Sequence, residues 1–329
     1  MNEQTKNEPF IIKAGNKLKN SSTTFSLILV YIVICIVLAN LSPYFLSVRN
    51  FMNIGIYGSI MGVMGAGVTI AMLLGAIDIS QYAVATIASI VSATMLAAGA
   101  NIFTVLFVAI LIGLCAGAVN ATLIAILKIP PIIATLGTMQ IFRGIAYLVT
   151  QGKTIMIDNS SFDIIGKGYL FHALPVPIVI VVCVFVITFY VLRYTSFGRR
   201  VFAVGGNEQT SYLSGINVIS IKFGALLICS VSAAIAGLIL SSQVGAAIPS
   251  TGAGQEMGVL SAVILGGISL SGGKGRISGT VIGILILATI QNGLTLLSVQ
   301  SFYQMIINGV VLILAVLMDV IRSGQLRKK

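Results

Sequence analysis

Long apolar segments alternate with short polar segments along nearly the whole chain. Ten apolar runs approach the roughly 20 residues that a helix needs to cross a bilayer. They lie at about 25–41, 54–74, 80–98, 102–126, 131–150, 176–193, 219–242, 257–270, 278–297 and 302–321. The eighth run is short, so we expect it to be tilted, broken or only partly spanning. The pattern predicts an all-α polytopic membrane protein with about ten transmembrane helices.

This reading divides the chain into a polar N-terminal tail (1–24), one transmembrane domain (25–321) and a short basic tail (322–329). Composition agrees with it, because 57% of the 329 residues are hydrophobic and 8% are charged, against about 25% charged in soluble domains. The net charge of +11 does not indicate nucleic-acid binding, since the basic residues gather in loops without interleaved aromatic residues.

The distribution of basic residues predicts the orientation. Ten spans place both termini on one side, and that side then holds fifteen of the nineteen Lys and Arg residues. The other side holds Arg49, Lys153 and Lys167, while Arg143 lies within the fifth run. Because basic residues concentrate in cytoplasmic loops, we expect both termini to be cytoplasmic.

A polar segment at 193–222 separates the sixth and seventh runs and is predicted to be cytoplasmic. Asn207 is a plausible N-cap, a short helix can run to Leu213, and Gly215 can stop it. A short capped helix beneath the membrane is suited to docking a partner. From this chemistry alone, a solvated loop without a partner is an equally good interpretation.

An ATPase site is not expected within the chain. The glycine-rich stretch 267–275 resembles a phosphate-binding loop, but its first glycine is one residue too far from Lys274, and Gly275 replaces the required Ser or Thr. Ion coupling is also poorly supported. Only Asp78 and Glu256 lie near the membrane interior, and neither has an obvious acidic partner within a span, as a proton relay would require. The sequence therefore predicts a transporter component that is not an enzyme.

Five polar residues in or beside apolar runs are candidates for a translocation pathway: Asp78, Asn120, Arg143, Glu256 and Asn292. Each has a structural alternative. Asp78 can cap the helix that begins near residue 80, Arg143 can pair near the outer interface, and the amides, including Gln291, can join helices by hydrogen bonds.

No metal site is predicted. Cys35, Cys115, Cys183 and Cys229 all lie in apolar runs without metal-ligand spacing. We expect them to be small buried residues.

Several motifs together resemble the permease subunits of ribose-type carbohydrate ABC importers along almost the full chain. They are Thr195–Arg199, Gly205–Glu208, Leu213–Asn217, Gly75–Ser80, Thr135–Thr138 with Arg143-Gly144, Gly254–Glu256, Leu265–Leu270, Gly272–Gly275 and Ser301–Met305. Thr210 and Ser211 depart from the pattern, because the family commonly has alanines there.

The resemblance implies an ABC importer permease fold in a bacterial cytoplasmic membrane. It implies a second permease copy, two ATPase subunits that bind ATP and magnesium, and an external solute-binding protein. It assigns ATPase coupling to Gly205, Gly206, Asn207, Glu208, Leu213, Ser214 and Gly215. The expected cargo is a monosaccharide, with ribose first. Another small polar solute such as a furanose signal molecule, or an ion-coupled carrier that works alone, is the alternative.

Overall fold

A computed structural model describes the backbone of residues 10–323 and the side chains of 25–300 and 302–320. The helices are α1 (Phe10–Leu41), α2 (Val48–Leu73), α3 (Gln81–Ala97), α4 (Ile102–Ala121, continued by a π-helical turn, Thr122–Ile126), α5 (Pro131–Thr150), α6 (Ser160–Lys167), α7 (Val176–Tyr194), α8 (Ser196–Gly206), α9 (Glu208–Leu213), α10 (Val218–Val244), α11 (Glu256–Leu265), α12 (Ile277–Leu296) and α13 (Ser301–Ser323). The strands are β1 (Ile155–Met156), β2 (Tyr169–Leu170), β3 (Leu174–Pro175) and β4 (Ala246–Ala247).

Each of the ten predicted apolar runs forms a helix. Within the described part of the chain, seven helices are long and apolar enough to cross a membrane, whereas the apolar part of α1 (Phe25–Leu41), α3 and α11 are shorter. The eighth run, which was expected to be tilted, broken or only partly spanning, forms the ten-residue helix α11, which ends at Leu265 before a glycine-rich loop. The total of ten spans therefore stays a prediction.

The terminal assignments fall partly outside the described residues. Within the predicted tail 1–24, the backbone from Phe10 onward already forms the first part of α1. Residues 1–9 and most of the basic tail 322–329 lie beyond the described range.

Two helices, α2 and α10, form the centre of the bundle. α2 is almost entirely enclosed, while α5, α7 and α13 bury only a small share of their residues. Glycines allow the central helices to approach closely. A Cβ atom on Gly113 of α4 would lie 2.8 Å from Val231 Cα, and one on Gly117 would lie 2.8 Å from the Leu226 carbonyl oxygen. Small residues are expected at such contacts in lipid.

The loops sort to two ends of the bundle. At one end, β1 after α5 pairs antiparallel with β4 after α10, Ile155 opposite Ala247. β2 and β3 form a second two-stranded hairpin, directly before α7. At the other end, the loops after α2 and α11 meet the segment after α7. These loop positions agree with the prediction that successive spanning helices run in alternating directions. Which end is cytoplasmic stays a prediction from the distribution of basic residues.

The expectation of buried cysteines is correct for Cys229 and wrong for Cys115 and Cys183, which are exposed. Both lie on helices, α4 and α7, whose outer faces are uncovered. An apolar thiol on such a face is compatible with lipid, so an apolar run alone does not distinguish a protein-facing from a lipid-facing side chain.

Candidate functional site

The short helix predicted within 193–222 is confirmed as α9. The Asn207 side chain accepts a hydrogen bond from Thr210 N at 2.8 Å, which satisfies one free donor at the helix start. Gly215 follows the helix with φ +80°, a left-handed conformation that glycine adopts without steric cost. The local sequence thus specifies both ends of α9.

The exposed surface of α9 includes two large apolar side chains. Tyr212 is 71% exposed and Leu213 is 78% exposed. Leu213 was predicted as a coupling residue, and Tyr212 was missed, although the sequence places it directly beside Leu213. Of the two departures from the family pattern, Ser211 is buried and Thr210 is exposed. Only Thr210 therefore changes the surface that a partner would meet.

An ion pair ties α9 to the next helix. Lys222 Nζ on α10 lies 2.6 Å from Glu208 Oε2, and the Glu208 side chain is 59% exposed. Exposed pairs of this kind contribute little to stability, typically about 0–1 kcal/mol. Both residues of the pair line a groove of about 1180 Å³, to which residues 124–126 and 128–131 also contribute.

Gly205 and Gly206 are the last two residues of α8, directly before α9. Together with Gly273 and the Leu73 carbonyl they form a close backbone contact, called here the glycine junction. A methyl group at Gly205 would overlap the Leu73 carbonyl oxygen at the end of α2. The same carbonyl accepts a hydrogen bond from Gly273 N at 2.8 Å, and Gly273 lies against Gly206. The segment before α9 therefore touches both the end of α2 and the loop between α11 and α12.

Asp78 and Asn120 belong to a buried hydrogen-bond network near this junction. Asp78 Oδ1 accepts from Ser80 N at 2.8 Å and from Ser80 Oγ at 2.6 Å. Asn120 donates to Ser80 Oγ at 2.9 Å, and its carbonyl accepts from Thr138 Oγ1 at 2.7 Å. These bonds join the α2–α3 loop, α4 and α5, which supports the structural reading of both residues.

The environment of Asp78 disfavours its charge. Asp78 is 1% exposed, and burial raises the pKa of its carboxyl group above the ordinary 3.8, although the bonds from Ser80, Cys229 and Asn120 oppose that rise. A carboxyl group in this setting favours its neutral form.

Arg143 and Glu256 form an ion pair between α5 and α11. Arg143 Nη2 lies 2.5 Å from Glu256 Oε1, with side-chain exposures of 18% and 7%. Arg143 therefore pairs, as one reading of the sequence predicted. Arg143 Nε is enclosed and has no hydrogen-bond partner among the described residues.

A polar cavity of about 570 Å³ lies beside that ion pair. Its lining comprises Asn53, Tyr57, Met61, Tyr82, Ala253, Gly254, Gln255, Gly258, Gln291, Asn292, Thr295, Gln304, Met305 and Asn308. Asn292 is the one pathway candidate that lines the cavity, and Glu256 follows the lining residue Gln255. Asp78 and Asn120 lie outside the lining. Sequence reasoning missed Asn53 and Asn308, whose only signal is an amide beside or within an apolar run.

Two of the amide side chains that line the cavity are bonded to each other, and the oxygen of a third has no partner among the described residues. Gln291 Nε2 donates to Asn308 Oδ1 at 2.5 Å, which links α12 to α13. Asn292 Oδ1 is enclosed without a hydrogen-bond partner among the described residues. An enclosed acceptor without a partner is costly, so no protein contact among the described residues holds the Asn292 amide in this orientation.

Within residues 25–300 and 302–320, no three His, Cys, Asp or Glu side chains are placed to hold a metal ion. The acids named above are instead bonded to protein groups.

Comparison with known proteins gives consistent results. The model of a family described as "Branched-chain amino acid transport system / permease component" matches residues 50–316. The chain is 40% identical over 289 residues to the ribose import permease protein RbsC of Bacillus subtilis, covering 87% of this chain and 89% of that protein. It is 36% identical over 299 residues to the L-arabinose transport system permease protein AraH of Escherichia coli, covering 90% of each. No solved structure matches the chain significantly.

Proposed function

This chain belongs to the family of transport-system permease components, and from that membership we propose that it is the membrane permease subunit of an ATP-driven sugar importer. The proposed cargo is a neutral monosaccharide, and ribose is the first candidate. The names of similar proteins support a pentose, since they include ribose and L-arabinose permeases. A furanose signal molecule would share the mechanism and differ only in cargo.

The observation that carries the proposal is the contact of the α9 segment with the ends of the spanning helices. The face of α9 presents Tyr212 and Leu213 outward, while Gly205 behind it lies against Leu73 of α2. Because Gly205 lies at the end of α8, directly before α9, a partner that moves α9 would displace this contact with α2. Apolar anchors on an exposed helix are typical of docking surfaces.

In this mechanism the energy comes from two separate ATPase subunits, which bind ATP and magnesium on the cytoplasmic side. Their closure moves α9, and the glycine junction passes the displacement to α2 and to the α11–α12 loop. An external solute-binding protein delivers the sugar, and a second permease copy completes the assembly in a bacterial cytoplasmic membrane. The coupling residues are Gly205, Gly206, Asn207, Glu208, Leu213, Ser214 and Gly215, to which Tyr212 is added.

A double substitution tests the docking role. Tyr212→Ala with Leu213→Ala removes both anchors, and we expect loss of ATPase co-purification and of sugar uptake with normal membrane insertion. Tyr169→Ala is the matched control, because Tyr169 is 58% exposed at the opposite end of the bundle. Wild-type ATPase binding in the double variant would overturn the docking role. Uptake by this chain alone, driven by an ion gradient, would overturn the importer proposal.

A further inference from the structure

We propose that the amide-lined cavity beside the Arg143–Glu256 pair is a binding subsite for a neutral polyhydroxylated solute, present within each permease subunit. The inference rests on the proposed function and deepens it, because it assigns the recognition of uncharged sugars to particular side chains of this chain. The cavity volume of about 570 Å³ lies within the roughly 300–1,000 Å³ typical of small-molecule pockets.

The position of the cavity suits solute entry from outside. Asn53 and Tyr57 lie near the beginning of α2, Asn292 lies near the end of α12, and Asn308 lies in the first half of α13. All of these helix ends are predicted to face away from the cytoplasm, and α9 lies at the opposite end of the bundle. A solute released at the outer surface would therefore reach this cavity before the glycine junction.

The lining offers the groups that a sugar requires. Asn and Gln side chains each provide a donor and an acceptor, which match the hydroxyl groups of a polyol. Asn292 lines the cavity, and its buried Oδ1 makes no hydrogen bond to the described residues, so its amide is free to turn toward such a hydroxyl. Tyr57, Tyr82 and the two methionines supply apolar surface for the C–H groups between the hydroxyls.

The electrostatics favour an uncharged ligand. None of the described lining residues is charged, and the nearby Glu256 carboxylate is neutralised by Arg143 at 2.5 Å. A charged solute would lose hydration without gaining an opposite charge, which is costly. The pair thus removes a charge that would otherwise lie at the edge of the subsite.

The absence of tryptophan from the chain permits a direct binding test. Met305→Trp places a single fluorophore at the cavity, and Phe171→Trp places one at an exposed site on the β2–β3 hairpin. With the purified permease in lipid nanodiscs, we expect D-ribose to change Met305→Trp fluorescence saturably and to leave Phe171→Trp unchanged. D-gluconate, which is an anion, and L-leucine, a zwitterion that carries both an ammonium and a carboxylate group, should give no saturable change.

A second substitution identifies the contact. Asn292→Leu in the Met305→Trp background should weaken D-ribose binding about tenfold, as expected for one lost hydrogen bond. Asn40→Leu is the matched control, because Asn40 is an exposed amide on α1 outside the cavity. Equilibrium dialysis with labelled D-ribose makes the same comparison without any introduced tryptophan.

Each outcome decides the matter. No saturable D-ribose binding, equal binding by Asn292→Leu and wild type, or equal binding of D-gluconate would overturn the subsite. If such a result accompanies normal ATP-driven uptake by the whole transporter, the subsite fails and the importer proposal stands. If binding is present but uptake does not depend on ATP, the importer proposal fails and the subsite stands.

Discussion

The Gly273 amide donates a hydrogen bond of 2.8 Å to the Leu73 carbonyl oxygen, so the loop after α11 is joined to the end of α2. Gly205 lies against the same carbonyl, and Gly206 lies against Gly273. Three segments distant in sequence therefore share one backbone contact. Displacement of any one of them must change the other two.

Gly205→Ala is expected to disrupt this junction. The added methyl group would overlap the Leu73 carbonyl oxygen, and backbone atoms on both sides leave no flexible group that could yield. We expect uptake and sugar-stimulated ATPase activity of the whole transporter to fall at least tenfold. Gly309→Ala on α13 is the control, because no atom lies within 4 Å of its Cβ position. Equal activity of the two variants would contradict the close-contact argument.

Gly215 tests conformation rather than space. Its φ is +80°, and no heavy atom lies within 4 Å of its Cβ position. Gly215→Val therefore introduces backbone strain of about 1–2 kcal/mol without a clash. We expect the variant to insert normally and to lose coupling between ATP hydrolysis and uptake. Gly215→Asn, which tolerates this conformation better, should keep most of the coupling, and identical losses in both variants would argue against strain as the cause.

The Arg143–Glu256 pair is expected to show strong non-additivity. Removal of one partner leaves a buried charge, which costs roughly 3–5 kcal/mol. Arg143→Leu or Glu256→Leu alone should lower the melting temperature of the purified protein clearly, and the double variant should recover much of the loss. Lys167→Met, which breaks the exposed pair with Asp163, should change it little. Additive losses in the double variant would refute the coupling.

Asp78 is expected to make stability depend on pH. Because its folded-state pKa is raised above 3.8, the folded state binds its proton more tightly than the unfolded state. The contribution is therefore most favourable at low pH and is lost as pH rises from 3.8 through the folded-state pKa. Asp78→Asn cannot titrate and keeps an oxygen that accepts from Ser80. The melting temperature of this variant, relative to that of the wild type, should therefore increase as pH rises. The exposed Asp163→Asn control should follow wild type, and a difference between Asp78→Asn and wild type that is independent of pH would contradict the shift.

The positions of the helices and of α9 could be predicted because their causes are local. Hydrophobic length determines where a spanning helix forms, and Asn207 with Gly215 specifies the start and stop of α9 through their own side chain and backbone. The limit appears at α11, where an apolar run extends past Leu265 but a glycine-rich turn ends the helix. Hydropathy does not detect that turn.

The roles of the polar residues depend on tertiary packing. Asn120 and Asn292 look alike in sequence, since each is an amide within an apolar run. In the structure Asn120 completes a protein hydrogen-bond network, whereas Asn292 lines a cavity and its buried Oδ1 has no hydrogen-bond partner among the described residues. Packing also determines the pairing of Arg143 with Glu256 across 113 positions.

The sequence by itself determined that this is a helical membrane protein with a capped polar helix between two apolar spans, because hydropathy and capping act over one helix or one turn. Only the tertiary structure decided that Gly205 touches Leu73, that Tyr212 faces outward and that Asn292 lines a cavity. The physical reason is that apolar helices pack in lipid without a strong sequence code for their partners. Close contacts and unpaired polar atoms arise only when the helices meet.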